Sequence, residues 1–129
     1  MSIDFKATKG IFQQIADNIC RQILEGKLPP GERISSVREL AEEYEVNRNT
    51  LLRTYSILES DGVIVNKRGI GFFVADNAVE LIRANERKEF FAEVLPEFIR
   101  RVQLLNLTES DLSDLLTIIK NNTGNNRLK

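Results

Sequence analysis

The 129-residue chain has no histidine and no tryptophan, one cysteine and three prolines. Without histidine there is no imidazole general base, no imidazole metal ligand, and no Ser-His-Asp or Cys-His nucleophile pair. The lone thiol, Cys20, excludes an internal disulfide and every multi-thiolate zinc site. It falls on the apolar stripe of a helical pattern and reads as a small core hydrophobe. No charge-free run approaches the roughly 18 residues of a membrane span. The opening MSIDFKATKG carries no apolar h-region, so no signal peptide is expected. One thiol without a targeting segment fits the reducing cytoplasm. None of these patterns calls for a cofactor or a metal.

What is present is 42% hydrophobic and 29% charged, with a net charge of −1. That suffices for one ordinary domain, or a small domain with an appendage. Ile11, Ile15, Ile19 and Ile23 recur every four residues, flanked by Phe12, Ala16, Cys20 and Leu24, and predict a helix with a broad apolar face. Gly26 stops it, and Leu28-Pro29-Pro30-Gly31 makes an ordered turn. Ser36-Val37-Arg38-Glu39 announces a second helix through a capping box, with Val37, Leu40, Ala41 and Tyr44 as its buried face. The chain turns at Glu45-Val46, and Asn47 caps a third helix whose inner side is Leu51, Tyr55 and Leu58. Two short helices with so brief a bend suggest a helix-turn-helix. Glu45 is a blemish there, since a tight bend would welcome glycine.

Val63-Ile64-Val65 and Phe72-Phe73-Val74 then bracket Asn66-Lys67-Arg68-Gly69-Ile70-Gly71, a hairpin with a flexible cationic tip. Helix, helix-turn-helix and basic hairpin, in that order, predict a winged helix-turn-helix over residues 1–75, ending at Asp76-Asn77. Residues 76–120 read as a helical dimerisation region. Phe91, Leu95, Phe98, Val102 and Leu105 are spaced 4, 3, 4, 3, a seam of about two heptads. Pro96 lies inside the seam and should kink it or begin a new segment. Thr108 caps a last helix with Asp111 at its third position, Leu107 stapled to Leu112, and an oily side of Leu112, Leu115, Leu116 and Ile119. Residues 121–129 read as a disordered tail. The fold class is mainly α with one small β-hairpin.

On the third helix Asn49 and Arg53 lie roughly opposite Leu51, Tyr55 and Leu58, with Arg48 and Thr50 at the exposed first turn. Arg forks onto guanine, Asn pairs with adenine, and Thr meets a phosphate or a thymine methyl. The helix start itself favours a phosphate. Residues 1–75 hold ten Lys/Arg and ten Asp/Glu, a neutral balance. Yet Val46–Leu58 contains Arg48 and Arg53 with no acid, and Gly62–Ala75 contains Lys67 and Arg68 with none. A neutral domain can therefore present a positive face to phosphates.

The string LPPGERISSVRELAEEYEVNRNTLLRTYSILESDGVIVNKRGIGFFV resembles the DNA-binding domain of GntR-type bacterial transcription regulators, in the form found in the YtrA subfamily. The resemblance covers residues 11–75 through the Pro-Pro-Gly-Glu turn, S-V-R-E-L-A, N-R-N-T and the R-G-x-G-x-F-V wing. It implies that Arg38, Arg48, Asn49, Thr50 and Arg53 lie at the DNA, and that Gly69 approaches the minor groove or backbone. With the cap residues Ser36 and Asn47 and the wing cations Lys67 and Arg68, these form the candidate DNA-binding set. Ser35 stands where Pro is frequent, Glu45 where Gly is frequent, and Leu52 where larger GntR relatives often carry Arg.

The chain is too short for the effector domain of most GntR relatives. Residues 79–120 resemble the two short dimerising helices of the YtrA form, with Phe91, Leu95, Phe98, Val102, Leu105, Leu112 and Leu116 as the candidate dimer residues. The expectation is a homodimeric DNA-binding repressor, without enzymatic activity, on double-stranded inverted-repeat operator DNA. By resemblance it controls a transporter operon, with the small-molecule effector unspecified. A winged-helix module that binds protein is the alternative, marked by an Asn49/Arg53 face buried on another chain. An enzyme built from carboxylates and Lys is the third.

Overall fold

The structure, a computed structural model, describes residues 10–125. The chain divides into two compact units between Asn85 and Glu86. The first holds α1 (Ile11–Leu24), α2 (Val37–Tyr44), α3 (Arg48–Ser60), β1 (Ile64–Lys67), β2 (Gly71–Val74) and the opening turns of α4 (Ala78–Glu89). It extends beyond the Asp76-Asn77 boundary read from the sequence, because Ala78 and Ile82 of α4 are buried in its core.

That core is built from periodicity. Ile15, Ile19 and Ile23 of α1 meet Leu40 and Ala41 of α2, and Leu51, Tyr55 and Leu58 of α3. Ile11, counted in the same stripe, is 50% exposed; the buried face of α1 begins one turn later. Cys20, Leu24, Val37 and Tyr44 are half-buried against the core. The predicted bend between α2 and α3 carries Glu45 at φ 56°, ψ 46°, a left-handed conformation. The Val46 N–H returns 3.0 Å to the Ala41 carbonyl and closes the end of α2.

The hairpin is tighter at its tip than expected. Ile64 pairs with Val74 and Lys67 with Gly71, leaving Arg68-Gly69-Ile70 as the loop, closed by the Ile70 N–H on the Lys67 carbonyl at 2.8 Å. Gly69 at φ +79° and Gly71 at φ +142° adopt backbone conformations that side chains rarely tolerate. A third extended segment joins this sheet. Arg33 bridges Phe73 in antiparallel register, and the Ile34 N–H donates to the Phe72 carbonyl at 2.9 Å. The Val74 N–H answers on Glu32 at 2.9 Å, so β2 has partners on both sides. The turn after Pro-Pro is thereby fastened to the wing.

In the second unit α4 passes into a π-helical turn, Phe90–Val94, followed by α5 (Leu95–Leu104) and α6 (Glu109–Asn125). Pro96, at the start of α5, has no N–H to return to the preceding turn. The Leu95 N–H instead reaches five residues back to the Phe90 carbonyl. The backbone stays helical at Glu89, Val94 and Leu95, so the helix widens by one π turn and runs on through the proline where a kink or a new segment was expected. α5 closes before Leu105, with Asn106 at φ 52° in the turn. Thr108 and Asp111 form the expected reciprocal cap: the Asp111 N–H donates to Thr108 Oγ1 at 3.1 Å, and the Thr108 N–H to Asp111 Oδ2 at 2.9 Å. α6 continues through Asn125, so residues 121–125 are helical where a disordered tail was expected. The remainder of that tail, 126–129, lies outside the described residues.

Candidate nucleic-acid interface

Two caps fix the helix starts that face solvent. Ser36 Oγ accepts the Glu39 N–H at 3.1 Å, and Glu39 Oε1 accepts the Ser36 N–H at 2.9 Å. The Ser36 backbone N–H, followed by its hydroxyl and the more distant charge of Arg33, holds the Glu39 carboxyl below its ordinary value. Arg38 projects exposed from the same first turn. Asn47 Oδ1 accepts the Asn49 N–H at 2.6 Å and sets the start of α3. Ser36 and Asn47 thus already have work as caps. The freely exposed side chains of these turns are Arg38, Arg48 and Asn49, while Thr50 is half-buried.

Further along α3, the Thr54 hydroxyl lies 2.9 Å from the Thr50 carbonyl and 3.0 Å from the Phe12 carbonyl, joining α3 to the start of α1. One residue earlier, the Arg53 guanidinium stacks 4.0 Å from the centre of the Phe12 ring. Exposed beside it is Leu52, at 52%. On the inner side, the Tyr55 ring meets Phe72 edge-on at 4.9 Å and its hydroxyl donates to the Ser35 carbonyl. Burial pushes the Tyr55 phenol up, so it stays a neutral donor. Tyr55 therefore ties α3 both to the turn before α2 and to the wing strand. A recognition surface needs such rigid spacing between its parts.

The wing presents Lys67, Arg68 and Gly69, all exposed, with Ile70 apolar at the tip. Lys67 Nζ sits 4.4 Å over the Phe73 ring. Arg33, absent from the sequence-derived set, lies against Gly71: a Cβ there would stand 2.9 Å from Arg33 Nε. Its signal in the sequence was weak, since Glu-Arg-Ile shows no strand alternation. No group of His, Cys, Asp or Glu among the described residues could hold a metal ion. No helix among them is long and apolar enough to cross a membrane.

Residues 11–74 match the family described as bacterial regulatory proteins, gntR family. YhcF, an HTH-type transcriptional regulator of Bacillus subtilis (strain 168), is 38% identical over 113 residues, spanning 87% of this chain and 91% of that protein. The chain belongs to the GntR family. Fold agrees with sequence: a crystal structure of a GntR-family regulator from Bacteroides thetaiotaomicron superposes with a TM-score of 0.74 at 38% identity, covering 88% of this chain and 99% of that one. The HTH-type transcriptional repressor YtrA of Bacillus subtilis (strain 168) is 36% identical over 78 residues, 60% of each chain. This GntR protein is a DNA-binding transcriptional regulator with a winged helix-turn-helix, not an enzyme.

Proposed function

We propose that this GntR regulator is a cytoplasmic homodimeric repressor that binds an inverted-repeat operator, with α3 in the major groove, the start of α2 against the backbone, and the wing on the flanking phosphates or minor groove. The observation that carries the reading is the exposed first turn of α3, where Arg48 and Asn49 stand clear of the core. Those two side chains have the fork geometries that distinguish guanine and adenine edges. Arg38, Thr50, Arg68 and Gly69 take the backbone around them, and Arg53 reads beside Asn49. Two-fold symmetry sets the half-sites about one helical turn apart.

Dimerisation is supported by the second unit. Phe91, Leu105 and Leu116 are more than half exposed, Phe98 is exposed, and Leu95, Val102 and Leu112 are half-buried; none of the seven is buried. So many large apolar side chains left open to water in one small helical unit call for a partner. Covering about 800 Å² per subunit, a standard interface, would suffice. Similarity to the repressor YtrA supports repression as the output, and subfamily analogy supports a transporter operon as the target.

Footprinting on the DNA upstream of its own gene tests the whole reading. Protection of two symmetric half-sites is expected. A single asymmetric footprint, or no protection, would refute the operator model.

A further inference from the structure

One face of the wing sheet carries an arrangement the recognition helix does not account for. Cross-strand pairing sends paired residues to the same face. Arg33 pairs with Phe73, Phe73 with Val65, and Gly71 with Lys67. Phe73, Gly71, Val65 and Lys67 share a face by strand alternation, and Arg33 joins them from the other edge of β2. The opposite face, with Ile64 and Val74, is buried in the core. The outer face therefore holds two cations, one from each strand flanking β2.

Both cations are positioned. Lys67 Nζ rests over the Phe73 ring at 4.4 Å. The Arg33 guanidinium lies over Gly71, with Nε at 2.9 Å and Nη2 at 3.3 Å from where a Cβ would stand. Among the described residues, no carboxylate closes an ion pair on either. Glu39 senses the Arg33 charge, but its carboxylate is committed to the Ser36 N–H. The two cations stand on either side of β2, and a phosphate seated over that strand is drawn by both. Arg supplies a planar fork for phosphate oxygens, and Lys a point charge.

We propose that Arg33 and Lys67 form a phosphate seat on the outer face of the wing, gripping the duplex backbone outside the grooves that α3 reads, with Gly71 bare so that the guanidinium can lie across it. The seat rests on the proposed wing–DNA contact and extends it to a strand outside the hairpin. It contributes affinity without sequence choice, because phosphates carry no base information.

The test is fluorescence anisotropy with the full-length protein on its own upstream duplex and on a random duplex, between about 50 and 200 mM salt. Arg33→Gln and Lys67→Gln should each make the plot of log affinity against log salt shallower by about 0.9, and the double variant by about twice that. The loss should be equal on both duplexes, and Arg33→Lys should keep the wild-type slope. Arg48→Gln serves as the comparison. If it weakens binding while Arg33→Gln leaves the slope unchanged, the seat alone is overturned. If neither variant has any effect, the placement of the interface is overturned, and the seat with it.

Discussion

The Arg53 guanidinium lies 4.0 Å from the centre of the Phe12 ring, so the first turn of α1 holds a cation of α3 in place. Thr54 reinforces the joint by reaching the Phe12 carbonyl. A stack of this kind at an exposed site is worth about 0.5–1 kcal/mol, and it narrows the directions from which Arg53 can approach a base edge. Phe12→Leu removes the ring and keeps an apolar side chain. The expected result is a two- to fivefold fall in the ratio of operator to random-duplex affinity, roughly the same 0.5–1 kcal/mol. Random-duplex binding should stay as it was. An unchanged ratio in anisotropy titrations would show that the stack does not orient Arg53.

Arg48 has no such restraint and stands exposed beside the Asn47 cap. Arg48→Ala should cost roughly 1–3 kcal/mol on the operator and relax the choice of base at one position per half-site. Selection from a randomised pool with both proteins measures this directly. Equal losses on operator and random DNA would reduce Arg48 to a phosphate contact.

At the helix-turn-helix bend, Glu45 sits at φ 56° without glycine's freedom. The left-handed conformation costs a non-glycine residue about 1 kcal/mol or more. Glu45→Gly relieves that strain but gives the unfolded chain more entropy to lose, which offsets part of the gain. A net rise in stability of about 0.5–1 kcal/mol is expected. For a domain this size that is roughly 2–8 °C in Tm, measured by thermal unfolding. A lower Tm would mean that the Glu45 side chain makes a compensating contact.

Local chemistry made much of this legible in the sequence. The Ser36/Glu39 and Thr108/Asp111 boxes, the Glu45 bend and the Asn47 cap each depend on residues within a few positions, and each stands where spacing put it. Pro96 likewise marked an irregularity, although the π turn that absorbs it without a break could not be read from one missing N–H. What escaped was long-range or weakly encoded. Arg33 is a strand residue only because β2, forty positions on, offers it an edge. Phe12 counted as core, while its ring faces a cation across two helices. The asparagines and Gly124 after Lys120 argued for a helix end, yet propensity is a weak prior and α6 runs through them to Asn125. Of the candidate interface, the residue types were legible. Their division into caps, a ring-held cation and freely exposed side chains was not.

The capping box at α2 predicts an acid-sensitive difference. Glu39 is held below its ordinary value of 4.5 chiefly by the Ser36 backbone N–H. A carboxylate depressed in the folded state adds stability above its unfolded value, and that contribution is lost as pH falls through the folded one. Wild type should therefore exceed Glu39→Gln in urea midpoint at neutral pH. The gap should begin to close below about pH 4.5 and vanish further into acid. A gap independent of pH would assign the cap's effect to hydrogen-bond geometry and not to charge.

The second unit makes the sharpest demand on assembly. From Glu86 through Asn122 none of its residues is buried: Leu116 is 62% exposed on α6, and Phe98 is exposed on α5. In an isolated protomer, Asp at either position meets water and changes little. In a dimer whose core these residues supply, each Asp would be an unpaired charge in an apolar interface, a burden of several kcal/mol. Leu116→Asp and Phe98→Asp should therefore convert a micromolar dimer to monomer in sedimentation velocity. They should weaken operator binding steeply, because one recognition helix then reads one half-site. Isolated winged units should still bind random duplex, which separates lost pairing from lost folding. A wild-type protein that sediments as a monomer at micromolar concentration, or variants that stay paired, would place the dimer contact elsewhere or abolish it.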